Sequence, residues 1–278
     1  MKLLRRLLFI FDIMLLPKLL WKSRTVLWEL VRRNVATRYK GAILGGVWSL
    51  VQPLLMLCVY TFVFSVIFKA RWGTDVSDAK GAFAIVMFCG MALYTIFAES
   101  VSSSCSVILS NQNYVQKVIF PLEVLPLVQV LTSFILGTVW FVLLFIGAVF
   151  VFGTISWTMF LLLPILLILF LFSLGISYFV ASLGVYIRDT AYVLQVILQI
   201  LFFMTPIFYP VTAVPVEYRL PLQINPLTIL IEETRKVFLH GQLPDWVFLG
   251  ISLLVSLIVL QLGFAFFHKT QKGFADVL

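Results

Sequence analysis

One carboxylate, Glu99, stands at the end of an otherwise uncharged run, 82–98, and is followed by Ser100, Ser102, Ser103, Ser104 and Ser106. A charge at this depth in an apolar segment is costly unless it is paired or used, so it marks a candidate site. Two readings stand side by side: a polar patch at the mouth of a pathway, or a snorkelling or serine-bonded carboxylate at a helix contact. Aromatic side chains are the second candidate. Tyr60, Phe64 and Phe68 recur every four residues, with Tyr94 and Phe97 in the next apolar segment. Aromatic faces stack on sugar rings and would give a glycan a path without charge. With 27 phenylalanines in the chain, ordinary lipid or core packing explains the same stripes. Together, Tyr60, Phe64, Phe68, Tyr94, Phe97 and Glu99 are the expected substrate-channel residues.

Other chemistry is missing. No G-x-x-x-x-G-K-S/T phosphate loop occurs, and no H-E-x-x-H. His240 and His268 lie in different regions, and Cys58, Cys89 and Cys105 are isolated in apolar sequence. Neither a catalytic group nor a metal site is expected, and ionisable groups are too few for a proton- or ion-coupled carrier.

The elements that would hold these residues follow from composition. Of 278 residues, 62% are hydrophobic and 12% charged, against about 25% charged in soluble domains. Asp, Glu, Lys and Arg are absent from 41–68, 82–98, 124–187, 190–216 and 246–267. A helical span needs ~20 apolar residues, so 124–187 holds two spans with a turn at 153–157. The expected fold is all-α: a single polytopic membrane domain over 1–278 with six spans, at 48–68, 82–105, 127–152, 159–187, 192–209 and 247–267. Residues 9–16 are apolar except for Asp12, but Pro17-Lys18 follows rather than a small-residue cleavage site, so no cleavable signal is expected.

Ahead of the first span, 25–39 reads as an amphipathic helix within an interface segment 21–40. Leu27, Leu30, Val31, Val35 and Tyr39 share a face, interrupted by Asn34 and Arg38. Trp28, Arg32, Arg33, Arg38, Tyr39 and Lys40 are the residues expected to meet the headgroup layer.

Basic residues orient the chain. The amino-terminal segment, 106–126, the loop at Arg188 and the tail together hold 14 Lys and Arg. The other side holds 6: Lys69, Arg71, Lys80, Arg219, Arg235 and Lys236. Both termini are therefore expected in the cytoplasm, together with the polar interval 110–126, SNQNYVQKVIFPLEVLP. On the other side, 210–245 contains five prolines and a helix capped by Asn225 with Pro226 at its first turn, running to about Leu239. Its apolar face suggests a segment dipping into the outer leaflet or capping a pathway; a surface helix packed on the spans is the plainer alternative.

These residues carry a resemblance. Arg38-Tyr39-Lys40-Gly41, Leu44-Gly45, Trp48 and Pro53 resemble the entry to the first span in permeases of ABC polysaccharide exporters, the O-antigen, capsule and teichoic acid group. Asn111 through Lys117, Phe120-Pro121 and Leu122-Glu123 with Pro126 resemble that family's cytoplasmic coupling segment. Thr205-Pro206-Ile207, Tyr209, Pro215 and Asn225-Pro226 resemble its outer segment. The matches run in order over about 25–268.

The resemblance implies a channel-forming permease, not an enzyme, in the cell inner membrane. It implies a homodimer docked on two separate ABC ATPase subunits, which bind the ATP and Mg; this chain has no cofactor of its own. The cargo would be a lipid-linked polysaccharide, O-antigen first, and no nucleic acid is involved. Asn111, Gln112, Asn113, Tyr114, Lys117, Phe120, Pro121 and Glu123 would then couple to the ATPase. Pro206, Tyr209, Asn225, Pro226, Leu230, Glu232 and Arg235 would belong to an outer gate at 210–245 and its approach. The same class also includes permeases for capsule, teichoic acid or small hydrophobic drugs. A six-span ion channel is the rival outside it, but there is no Thr-Val-Gly-Tyr-Gly filter and no arginine ladder. A membrane sugar transferase would need a carboxylate cluster or metal motif.

Overall fold

The computed structural model describes residues 21–67, 81–116, 120–153 and 156–278. Phe68, Lys117, and the basic residues before position 21 and at 69, 71 and 80 lie outside the described residues. Those described form helices and turns, with no strand among them. In chain order the helices are α1 Arg24–Thr37, α2 Trp48–Thr61, α3 Ala82–Cys105, α4 Gln112–Gln116, α5 Val124–Phe152 and α6 Leu162–Tyr186. There follow α7 Thr190–Met204, α8 Val216–Ile224, α9 Pro226–Phe238, α10 Trp246–Thr270 and α11 Phe274–Val277.

Among the described residues, five stretches are long and apolar enough to cross a membrane: Gly45–Phe64, Ala82–Cys105, Val124–Phe152, Trp157–Tyr186 and Trp246–Val277. The expected fifth span, 192–209, is shorter as a helix. α7 has 15 residues, about 22 Å at 1.5 Å per residue, less than the ~30 Å of hydrocarbon. Its end has a local cause. Pro206 forces the preceding residue out of helical geometry, and Thr205 is extended at φ −95° and ψ 139°. The expected first span also changes character, since α2 passes into a π-helical turn at Phe62–Ile67.

Contacts between distant segments define two ends. At the basal end, Tyr114 of α4 meets Arg33 of α1, Glu123 meets His268, and Tyr186 donates to the Thr270 carbonyl. At the distal end, the Thr158 hydroxyl donates to the Val237 carbonyl at 2.6 Å. Apolar packing divides the same way. One cluster joins α1, the 107–108 turn, the start of α5 and the ends of α6 and α10 around Tyr178 and Phe267. The larger one joins α3, α5, α6 and α9.

Two of the α-helix starts among the described residues are capped by side chains. The Asn225 Oδ1 accepts from Leu227 N at 3.0 Å, with Pro226 next, which is the start expected for α9. The Asp245 Oδ1 accepts from Val247 N at 2.9 Å and Phe248 N at 3.4 Å at the head of α10. Asp245→Ala is expected to destabilise by about 1 kcal/mol, read as a small fall in the unfolding midpoint of the solubilised protein. An unchanged midpoint would show the cap to be replaced by solvent.

Candidate functional site

The basal surface is built on α1. Its residues Leu30 and Val31 are buried against the start of α5, with Leu27 and Val35 half-covered beside them. Trp28, Arg32, Arg33, Arg38 and Lys40 are exposed and Tyr39 half-buried. The segment after α3 folds back beside this helix. The Asn111 amide bonds the Val107 carbonyl at 2.8 Å, fixing the turn into α4. The Tyr114 ring stacks on Phe120 with centroids 4.7 Å apart, and Arg33 Nη1 donates to the Tyr114 hydroxyl at 3.4 Å. Gln112 and Asn113 are left exposed. Pro121 closes the segment, accepting from Val124 N at 3.0 Å.

Glu123 differs from its neighbours. It is 7% exposed, and its Oε1 lies 2.8 Å from Gln271 Nε2 and 3.2 Å from His268 Nδ1. Burial, the largest influence, would raise its pKa. Hydrogen bonds from His268, Gln271 and its own backbone outweigh burial and hold the carboxyl below the usual range. It therefore stays ionised at neutral pH. Expected as a contact for a partner, its carboxylate instead faces into the protein.

Glu99 pairs with Arg38, joining the end of α1 to the lower third of α3. The serines do not solvate it. Ser100, Ser103 and Ser104 each donate to the carbonyl four residues back, at 2.6, 2.7 and 2.7 Å. Of the two readings, the serine-bonded carboxylate gives way to an ion pair. Beside it lies a polar cavity of about 30 Å³, lined among others by Tyr39, Ser49, Gln52, Thr95, Glu99 and Ser133. That is room for about one or two waters.

The aromatic candidates separate. Tyr94 and Phe97 are buried. The Tyr94 hydroxyl donates to the Leu198 carbonyl of α7, and Phe97 stacks on Phe172 at 5.6 Å. These two pack the core of the described residues. Tyr60 and Phe64 are half-buried, with Phe208 5.2 Å and 4.6 Å from them.

At the distal end, α9 is sunk between α3, α6 and α10. Leu227, Leu230 and Ile231 are buried and Glu232 is partly exposed. Arg235, counted above among the six basic residues of the outer side, is 2% exposed. Its Nη1 donates to the Pro206 carbonyl at 2.7 Å and to Glu232 Oε1 at 2.8 Å. Its Nη2 reaches the Ile207 carbonyl at 3.1 Å and its Nε the Val86 carbonyl at 3.2 Å. Burial lowers its pKa and Glu232 opposes that; an arginine starts high enough to remain charged. Gly90 makes room, since a Cβ there would lie 2.9 Å from Arg235 Nη2 and 3.4 Å from Ile207 Cα. Asn225 Nδ2 bonds Thr205 Oγ1 at 3.2 Å, and the Tyr209 hydroxyl donates to the Phe203 carbonyl at 2.9 Å. The chain from α7 to α9 is thus tied together by polar groups around Pro206.

Two ends joined by apolar helices, with a polar segment braced at one of them, fit a membrane transporter. The sequence profile of ABC-2 type transporters matches residues 25–239. The chain belongs to this family. It is therefore a multi-pass membrane protein. It is 28% identical to the O-antigen export system permease protein RfbA of Myxococcus xanthus over 259 residues, covering 92% of this chain and 96% of that protein. An RfbA of Klebsiella pneumoniae is 26% identical, over 90% and 93%. The polysialic acid transport protein KpsM of Escherichia coli is 25% identical, over 87% and 92%.

Within this ABC-2 chain, sequence reasoning passed over His268 and Gln271 as partners of Glu123, and over Gly90 as the seat of Arg235. A glycine inside an apolar helix was the available signal for Gly90, because it permits close approach. Nothing local pointed to His268 or Gln271.

Proposed function

We propose that this chain is the channel-forming subunit of an ATP-driven exporter of a lipid-linked polysaccharide, O-antigen first among candidates, across the inner membrane. The observation that carries this reading is similarity to the O-antigen export permeases along nearly the whole chain. The sequence has no phosphate loop, so ATP and Mg belong to a separate ABC ATPase. The segment 111–123 couples to that ATPase, docking through the exposed Gln112 and Asn113 of α4. The amphipathic α1 lies on the cytoplasmic leaflet, and α8 and α9 form the outer gate.

Six crossings are proposed, with both termini cytoplasmic. In support, α7 begins at the level of Arg188 and leads to Pro206, whose carbonyl meets the same guanidinium as Val86 of α3. The 15-residue helix and the bent, non-helical residues 205–209 after it cross together. Two permeases and two ATPases make the complex. The face of α7 carrying Tyr192, Val196, Ile200 and Phe203 is uncovered and available to the second copy.

Deleting the gene tests the reading. Surface polysaccharide is expected to disappear while lipid-linked polymer accumulates inside the cell, with both reversed by the intact gene. Normal surface polysaccharide, with changed drug sensitivity or ion flux instead, would move the chain to another cargo.

A further inference from the structure

The coupling segment is held by two joints of different strength. Toward α1, the polar joint is an exposed hydrogen bond of 3.4 Å between Arg33 and the Tyr114 hydroxyl, while the stack of Tyr114 on Phe120 lies within the segment itself and braces it. Toward α6 and α10, it is Glu123. The carboxylate takes the 2.8 Å bond from Gln271 at the end of α10 and sits 3.2 Å from His268 Nδ1. Its main-chain carbonyl accepts from the Tyr178 hydroxyl of α6 at 2.9 Å. Tyr178 is fully buried, with Phe264 and Phe267 each 5.4 Å away. Buried, charge-assisted hydrogen bonds are roughly twice as strong as neutral ones, whereas an exposed bond at 3.4 Å competes with water at little gain. The second joint is the stiffer.

What it is fastened to is also stiff. α6 and α10 touch through their backbones: a Cβ on Gly263 would lie 2.0 Å from the Gly175 carbonyl oxygen. Helices this close cannot slide without separating. Lys269, Lys272 and Asp276, the other charged groups near this end of α10, are exposed, and the side chains bonded to the carboxylate are His268 and Gln271. A partner could reach the carboxylate only by displacing them.

We infer that Glu123 is a positioning residue that fastens the coupling segment to the α6–α10 pair, transmitting movement of the ATPase into those two helices without touching the ATPase. This rests on the proposed function and deepens it. Displacement of α4 acts first on α6 and α10, and α1 follows more loosely.

The test uses the full complex with its ATPase in vesicles, measuring co-purification, ATP hydrolysis and polymer exported per ATP. The wild-type control is read first: a chain that binds no ABC ATPase removes the proposed function and this inference with it. Glu123→Ala is expected to keep the ATPase bound and hydrolysis within about twofold, while export per ATP falls about tenfold. Glu123→Gln retains an acceptor for Gln271 and recovers part of the ratio; Tyr178→Phe lowers it less. Simple loss of folded protein would reduce hydrolysis and export together and leave the ratio unmoved. Loss of co-purification in Glu123→Ala would make Glu123 an ATPase contact and overturn the inference, as would an unchanged ratio. Should that variant fail to accumulate, Gln271→Ala decides by the same three measurements.

Discussion

Arg235→Ala is expected to cost about 3–5 kcal/mol, the range for breaking a buried charge network, and to deplete folded protein from the membrane. The guanidinium is 2% exposed and ties α9 to α3 and to the residues after α7, meeting carbonyls of Pro206, Ile207 and Val86 together with Glu232. The Val86 carbonyl belongs to α3 and its helical ladder. Those of Pro206 and Ile207 lie where α7 has ended, so removing the arginine strands them away from water. Arg235→Lys should recover less than half the loss, because an ammonium cannot reproduce the planar fork that spans these oxygens. Glu232→Ala should cost at most about 1 kcal/mol, its partner being a side chain already bonded three other ways. Unfolding midpoints of the solubilised variants check the order. A lysine variant as stable as the original would show that charge alone matters there.

That order of effects could not be read from the sequence around Arg235. IEETRKVF is the pattern of a helix with a charged outer face, and Glu232, Glu233 and Lys236 encourage that reading. The arginine is inside because Gly90, on another helix, leaves a space for it and because Pro206 ends α7 beside it. Periodicity reports an element and its apolar face, but not its neighbour. The same reason explains why 82–105 was legible as a helix to its ends, whereas the burial of Tyr94 and Phe97 was not: apolar residues facing protein, lipid or a channel have the same composition. Glu123 is the sharpest instance. Its place beside Phe120-Pro121 suggested a contact for a partner, but its own partners are 145 and 148 residues away. Asn225-Pro226, by contrast, was legible because a cap and its first-turn proline act within a few residues.

Gly263→Ala is expected to destabilise the protein by about 2 kcal/mol or more, and to do so by forcing α6 and α10 apart. Alanine favours a helix over glycine by about 1 kcal/mol, so propensity alone would predict a gain. Packing decides the sign. The new Cβ would meet the Gly175 oxygen at 2.0 Å and its carbon at 2.9 Å, and these are backbone atoms that no rotamer change can move. Overpacking a core costs about 1–3 kcal/mol when side chains can yield; here the helices themselves must. Gly250→Ala, in the same helix, supplies the contrast, because nothing lies within 4 Å of its Cβ; it should leave stability unchanged or raise it by up to about 1 kcal/mol. Unfolding midpoints of the two single variants, measured in one detergent, separate packing from propensity: equal shifts would show that the α6–α10 contact is loose enough to take a methyl group. If Glu123 drives this pair as one body, Gly263→Ala should also lower export per ATP, whereas Gly250→Ala should not.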